Sequence, residues 1–215
     1  MIDFSNARRT MIDGQLRAGG VLDLRLLSAF NAVPREDFVP QARRDIAYLD
    51  KAHPIGAPGA GRLLSAPVIL ARLLQLADIQ PGDRVLDLGA GTGYTSAILA
   101  RLSDKVVALE ADKDLAALVA RNLADTKVTL IHGSPEALDG QLFDAIIVDG
   151  ALEREPLDLF PLLAPGGRLV ATMRSGAVGI ATIFVSSDDG IKARSAFNVG
   201  LPPVFSAAPV AEFVL

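Results

Sequence analysis

Val85-Leu86-Asp87-Leu88-Gly89-Ala90-Gly91-Thr92-Gly93 decides the fold. The apolar run from Val85 to Leu88, broken only by Asp87, passes straight into three glycines at alternate positions, and a helical stretch follows from Tyr94. Glycines at such a strand-to-helix turn adopt backbone conformations closed to other residues and let the main chain approach a ligand closely. A dinucleotide fingerprint places its third glycine three residues after the second. Here that position is Tyr94, so the loop departs from the nicotinamide pattern.

Outward from this loop, short apolar runs alternate with helical stretches. Strands are expected at Arg84 to Leu88, Val106 to Glu110, Val128 to His132, Ala145 to Asp149 and Arg168 to Thr172, with helices over 94–102, 112–123 and roughly 153–163. Such alternation implies a parallel sheet covered on both faces. Ile180 to Ser186 and Ile191 to Val199, joined through Asp188-Asp189-Gly190, read as a hairpin whose turn residues permit positive φ. The expected fold class is α/β, a mostly parallel seven-stranded sheet with a C-terminal antiparallel hairpin; by analogy at the level of fold it matches a Rossmann-like methyltransferase domain better than a dinucleotide dehydrogenase. That domain is expected over 81–215, after the turn Pro81-Gly82-Asp83, and an N-terminal extension of helices and loops packed on it over 1–80. In the extension Leu22, Leu26, Leu27 and Phe30 recur at helical spacing behind a capping Asp23, and Val33-Pro34-Arg35-Glu36 stops that helix. A Pro-, Gly- and Ala-rich loop covers His53 to Gly61, and 66–77 reads as another helix with Pro67 near its start.

The site residues follow from strand ends. Glu110 closes the second strand about 20 residues after the loop, where a carboxylate can take both ribose hydroxyls. Asp87 suits an ammonium, and the methionine part of S-adenosylmethionine carries one. Asp87, Gly89, Ala90, Gly91, Thr92 and Gly93, with Glu110 and its neighbour Ala111, are therefore the expected S-adenosylmethionine site. Asp149 at the end of the fourth strand is added to it.

Bulk properties narrow the function classes. The chain has 215 residues, half of them apolar, which fits one domain with a modest extension. A net charge of −4 argues against a nucleic-acid partner held by phosphate contacts; Arg8-Arg9 and Arg43-Arg44 read as solvated helix faces. There is no cysteine, hence no disulfide or thiolate metal site, and no cluster of His and carboxylates has ligand spacing. No apolar run approaches the roughly 20 residues that span a bilayer, and the N-terminus lacks a signal-peptide core. A cytoplasmic protein without membrane attachment is expected, its oligomeric state open. His53 and His132 are expected in structural or surface roles.

Most of the chain resembles the protein-L-isoaspartate O-methyltransferase family. Asp13-Gly14-Gln15-Leu16-Arg17 is similar to its D-Q-L-R stretch, and Ala32-Val33-Pro34-Arg35-Glu36-Asp37-Phe38-Val39-Pro40 to its A-V-P-R-E-x-F-V-P signature. Ala47-Tyr48-Leu49-Asp50 and Pro54-Ile55-Gly56 follow in order, with similarity running from about Asp13 to Val170. The resemblance implies methylation of isoaspartyl carboxylates in damaged proteins, giving an ester that collapses to a succinimide, with a protein or peptide as partner. It also implies a G-Q-T-I-S loop beside the transferred methyl, whose Ser is the active residue. The matching stretch here is Gly61-Arg62-Leu63-Leu64-Ser65, so Ser65 is kept while Arg62 and Leu63 replace Gln and Thr. The family's G-D-G, whose Asp meets the adenine amino group, is Gly133-Ser134-Pro135, so the resemblance adds Ser134 to the cofactor site as an uncharged acceptor of one hydrogen bond, and its I-V-T-A-A is Ile147-Val148-Asp149-Gly150-Ala151. Its late F-V-P-L segment has no clear match around Asn198 to Pro202.

These departures leave three readings. An isoaspartyl carboxyl methyltransferase is favoured by the overall resemblance and Ser65. A methyltransferase acting on another acceptor is favoured by Arg62, Leu63 and Asp149. A non-catalytic S-adenosylmethionine-binding module is favoured only by the lost substrate residues. Asp149 would repel an incoming carboxylate unless Arg62 pairs with it or forks the acceptor; it could also take a proton from a hydroxyl or amine, or merely cap the loop after its strand. Ser65 and Arg62 are the catalytic candidates.

Overall fold

The computed structural model describes residues 2–138, 140–175 and 178–201. Pro202 and the rest of the stretch expected to end the domain at 215 lie outside the described residues. The chain opens with helix α1 (Phe4–Met11), capped by Asp3 and continuing as a π-helical turn over Ile12–Arg17. Helix α2 (Leu24–Ala32) starts where expected: the Asp23 carboxylate accepts from the amides of Arg25 and Leu26, which would otherwise lack partners. Leu26, Leu27 and Phe30 are buried, but Leu22 is 74% exposed and lies before the helix.

Two short strands, β1 (His53–Pro54) and β2 (Leu63–Leu64), pair antiparallel within the region expected to be helices and loops. Helix α3 (Pro67–Ala77), with Pro67 in its first turn, ends at Asp78 in the left-handed region. The alternating part runs β3 (Arg84–Leu88), α4 (Tyr94–Leu99), β4 (Lys105–Glu110), α5 (Lys113–Asn122), β5 (Thr129–His132), β6 (Phe143–Leu152), β7 (Leu163–Ser175), β8 (Val178–Ser187) and β9 (Gly190–Val199). The sheet order is β5-β4-β3-β6-β7-β8-β9, with the first five strands parallel and β8 and β9 closing it as the expected hairpin. Because β3 pairs with both β4 and β6, the order reverses there and opens a crevice at the strands' carboxyl ends.

The helix expected over 153–163 is absent; only a 3-10 turn, Phe160–Leu162, forms there. Pro156 and Pro161 each remove an amide donor and disfavour helical geometry in the preceding residue. The two sheet faces therefore differ. Val85, Ala108, Ala145, Ile147 and Val170 share a core cluster with Met11, Leu16, Phe30, Leu70 and Ile98, so residues before Pro81 pack directly on the sheet. Leu86, Leu88, Val107, Leu109 and Val148 face the other way, against Leu138, Leu159 and Leu163. Among the described residues no helix is long and apolar enough to cross a membrane.

Candidate active site

Three carboxylates meet at the switch point by register alone. Leu88 of β3 pairs with Leu109 and Val148, so Glu110 and Asp149 each stand one residue beyond, on the face that carries Asp87. The β6–β7 register shifts between Ile147 and Ala151, the stretch that carries Asp149. The strand continues to Leu152, so Asp149 does not cap a following loop, as one expectation had it. Its carboxylate instead accepts from the hydroxyls of Ser65, through a short contact, and of Thr95 at 3.4 Å.

Asp87 is fully buried. One of its oxygens accepts from Ser96 in the first turn of α4, and the other has no partner among the described residues. Burial pushes this carboxyl up to about 7; the Ser96 hydroxyl opposes the rise and the charges of Asp149 and Glu110 add to it. Burial likewise raises Asp149, against the Ser65 contact and the Arg35 charge.

Gly89, Gly91 and Gly93 all have φ between +62° and +90°, where a side chain is strained. At Gly91 an added Cβ would also stand 2.8 Å from Ile55 Cδ1, in the loop between β1 and β2. Four of the loop's five amides are engaged. Those of Gly89 and Ala90 reach Leu109 O, that of Gly93 reaches Ala90 O, and that of Gly91 reaches Glu110 Oε2 at 2.7 Å. This is a cradle for a ligand that approaches the backbone, not a nest of free amides for a phosphate. The Thr92 hydroxyl points away from Asp87 in its bonding and holds Phe38 O at 2.7 Å, tying the loop to the V-P-R-E segment.

Glu110 is fully buried and meets Arg62 as a fork, Nη1 to Oε1 at 3.0 Å and Nη2 to Oε2 at 2.8 Å. Arg62 thus pairs with Glu110 and not with Asp149, the first of the two partners expected for it. Ala111 is exposed just beyond Glu110. Ser134 is exposed and its hydroxyl donates to Glu136, while the amide of Gly133 reaches Glu110 O at 3.0 Å. His132 is exposed; His53 is buried with no hydrogen-bond partner for either ring nitrogen among the described residues, and that burial lowers its pKa to about 4.

Sequence reasoning quoted Arg35 only as part of a signature. Its side chain is fully buried, with Nε on Ala47 O at 2.8 Å and Nη2 on Ser65 O at 2.6 Å, and the guanidinium carbon lies 4.9 Å from the Tyr94 ring centroid. Arg35 therefore fixes the backbone of Ser65. An arginine in a V-P-R-E segment gives no sign of which carbonyl it will reach 30 residues later. Among the described residues no group of three or more His, Cys, Asp or Glu could hold a metal ion. A cleft of about 670 Å³ between Phe38, Ile55, Leu115 and Arg121 lies beside the loop, but none of the three carboxylates lines it.

The sequence profile of the protein-L-isoaspartate(D-aspartate) O-methyltransferase family matches residues 6–203. The chain belongs to this family. The match reaches past both limits, Asp13 and Val170, set by the motifs. A protein-L-isoaspartate O-methyltransferase of Koribacter versatilis is 41% identical over 177 residues, 80% of this chain and 78% of its own. One of Aeropyrum pernix is 38% identical over 196 residues, covering 87% of this chain and 74% of its own. Among solved structures, a beta-aspartate methyltransferase of Plasmodium falciparum in complex with S-adenosyl-L-homocysteine superposes with a TM-score of 0.78 over 92% of this chain and 98% of its own, at 24% identity. That likeness establishes the seven-stranded architecture.

Proposed function

We propose that this chain is an S-adenosylmethionine-dependent carboxyl methyltransferase acting on isoaspartyl residues of proteins or peptides. The observation that carries the reading is the convergence of Ser65 with Asp87, Glu110 and Asp149 at one sheet end, in a chain of this family. The donor site fits its ligand: Asp87 keeps a buried oxygen without a partner, suited to an ammonium, and the glycine loop leaves a wall of backbone with no Cβ. Asp87 would hold the amino group, Glu110 the ribose, and the turn from Gly133 to Ser134 lies next to Glu110 for the base. S-adenosylmethionine, when bound, supplies a methyl group on a positively charged sulfur.

The residues of the chain then have little bond-making to assist. With the donor held by Asp87 and Glu110, the acceptor oxygen would bond to the methyl carbon as the carbon–sulfur bond breaks, sulfur keeping the electron pair. A carboxylate with a pKa near 4 is already ionised at pH 7, so no base is required. Alignment is the main contribution. Ser65, with its carbonyl held by Arg35 and its hydroxyl turned to Asp149, is the residue placed to orient the acceptor. Two charges about 4 Å apart repel by about 4 kcal/mol at an effective dielectric near 20. Burial raises the affinity of Asp149 for a proton, and an Asp149 that carries one would donate a hydrogen bond to the acceptor carboxylate instead of repelling it.

One observation favours a second acceptor class. An ionised Asp149 that receives the Ser65 hydroxyl could equally take a proton from a hydroxyl or amine. Radiolabelled methyl transfer to an isoaspartyl peptide separates the two. A base-labile methyl ester supports the first reading. A base-stable product on another acceptor replaces it with the second, and donor binding without transfer to any acceptor leaves only a binding module.

A further inference from the structure

A carboxylate has about four lone-pair sites. In Glu110 all four are filled: Oε1 by Arg62 Nη1 and the Asp112 amide at 3.0 Å, Oε2 by Arg62 Nη2 and the Gly91 amide at 2.7 Å. The two amides belong to the turns that build the site and cannot leave without unmaking it. The guanidinium can leave, since it is the end of a flexible side chain with 18% of its surface still exposed. Arg62 therefore occupies the lone pairs that a ribose diol would use.

We propose that Arg62 is a positioning residue that trades places with the donor's ribose on Glu110, so that its guanidinium turns to the acceptor carboxylate only when the donor is seated. The argument rests on the methyltransferase reading above. Two ribose hydroxyls can replace the two guanidinium bonds and keep Glu110 hydrogen-bonded. The displaced cation is then left beside Gly89 O, its present contact at 3.2 Å, without a carboxylate partner. A partly buried, unpaired cation attracts an anion strongly. Arg62 stands three residues before Ser65, and its charge already acts on Asp149. The planar fork that now binds Glu110 is the geometry that binds any carboxylate in two places. Donor first and acceptor second is the order this exchange imposes.

The test uses S-adenosylhomocysteine and an isoaspartyl peptide as probes, with binding read by calorimetry. Arg62→Ala is expected to bind S-adenosylhomocysteine about tenfold more tightly than the wild type, because a competitor has been removed. Arg62→Lys, which keeps the charge but cannot fork, is expected to fall between them. Equal or weaker binding by both variants overturns the exchange. The wild type is expected to bind the peptide at least about fivefold more tightly when saturated with S-adenosylhomocysteine, and Arg62→Ala is expected to lose that gain and raise the peptide KM more than it lowers kcat. Peptide affinity that does not depend on S-adenosylhomocysteine overturns the coupling. A peptide that neither binds nor is methylated overturns the acceptor assignment and the acceptor half of the exchange, whereas the contest for Glu110 is decided by the S-adenosylhomocysteine affinities alone.

Discussion

Replacing Asp87 by Asn should stabilise the ligand-free protein at alkaline pH while weakening donor binding. The fully buried carboxyl is raised from 3.8 to about 7 in the folded chain. A folded-state pKa above the unfolded one means that folding takes up a proton, so stability from this group is highest below 3.8 and falls as pH rises toward 7. The whole span corresponds to about 4 kcal/mol, of which about 2–3 kcal/mol falls between pH 5 and pH 8.5. Asn has no such titration. In urea unfolding, the stability difference between Asp87→Asn and wild type should therefore move in favour of the variant by about 2–3 kcal/mol between those two pH values. Donor binding supplies the complementary reading. An ammonium against Asp87 restores its ionised form, so binding of S-adenosylhomocysteine at pH 6 should release close to one proton, measured by calorimetry in buffers of different ionisation enthalpy. At pH 8.5 the release from this group should vanish. A stability difference independent of pH, or donor affinity unchanged in the variant, refutes the assignment of this carboxylate to the ammonium.

Other perturbations probe the rest of the site. The wild-type KM for an isoaspartyl peptide should rise as increasing pH removes the proton from Asp149, and Asp149→Asn should flatten that profile; a profile that keeps its slope excludes Asp149 as its source. Ser65→Ala should lower kcat while S-adenosylhomocysteine affinity stays within about twofold, and full activity in that variant removes Ser65 from acceptor alignment. Arg35→Met leaves the carbonyls of Ala47 and Ser65 buried without a donor, and should cost about 2–4 kcal/mol in urea unfolding along with most of the activity. Asp23→Ala, far from the chemistry, should cost about 1 kcal/mol through the lost α2 cap without altering kcat.

The parts of the fold legible in the sequence were those set by local chemistry. The strand from Arg84 to Leu88, the cap at Asp23, Pro67 at the start of α3 and the turn at Asp188-Asp189-Gly190 all announce themselves within a few residues. The expected helix over 153–163 does not form because Pro156 and Pro161 interrupt it, leaving a 3-10 turn. The β1–β2 pair was missed because two-residue strands, one of them ending in Pro54, carry no periodic signal. In the site, strand-end carboxylates could be named from the alternation of strands and helices, since the parallel register puts them together. Which side chain of the chain itself each one meets could not. The Arg62–Glu110 fork joins residues 48 apart, and the Arg35 contact to Ser65 joins residues 30 apart, distances at which only the packed chain decides who meets whom.

The hydroxyl of Thr92 on the carbonyl of Phe38 bears on how this enzyme could be taken apart or recombined. A glycine-rich loop is commonly regarded as the portable part of a nucleotide-type fold, to be grafted or swapped with the strand and helix that flank it. Here one of its five residues is anchored in the segment before the fold proper, and Ile55 closes over another. A chimera that joins the strands of this chain to the leading segment of a different methyltransferase should fold as a sheet yet hold its donor poorly. The unit of exchange is the loop together with Phe38 and Ile55, and a recombination experiment that keeps those two positions is the one expected to retain donor affinity.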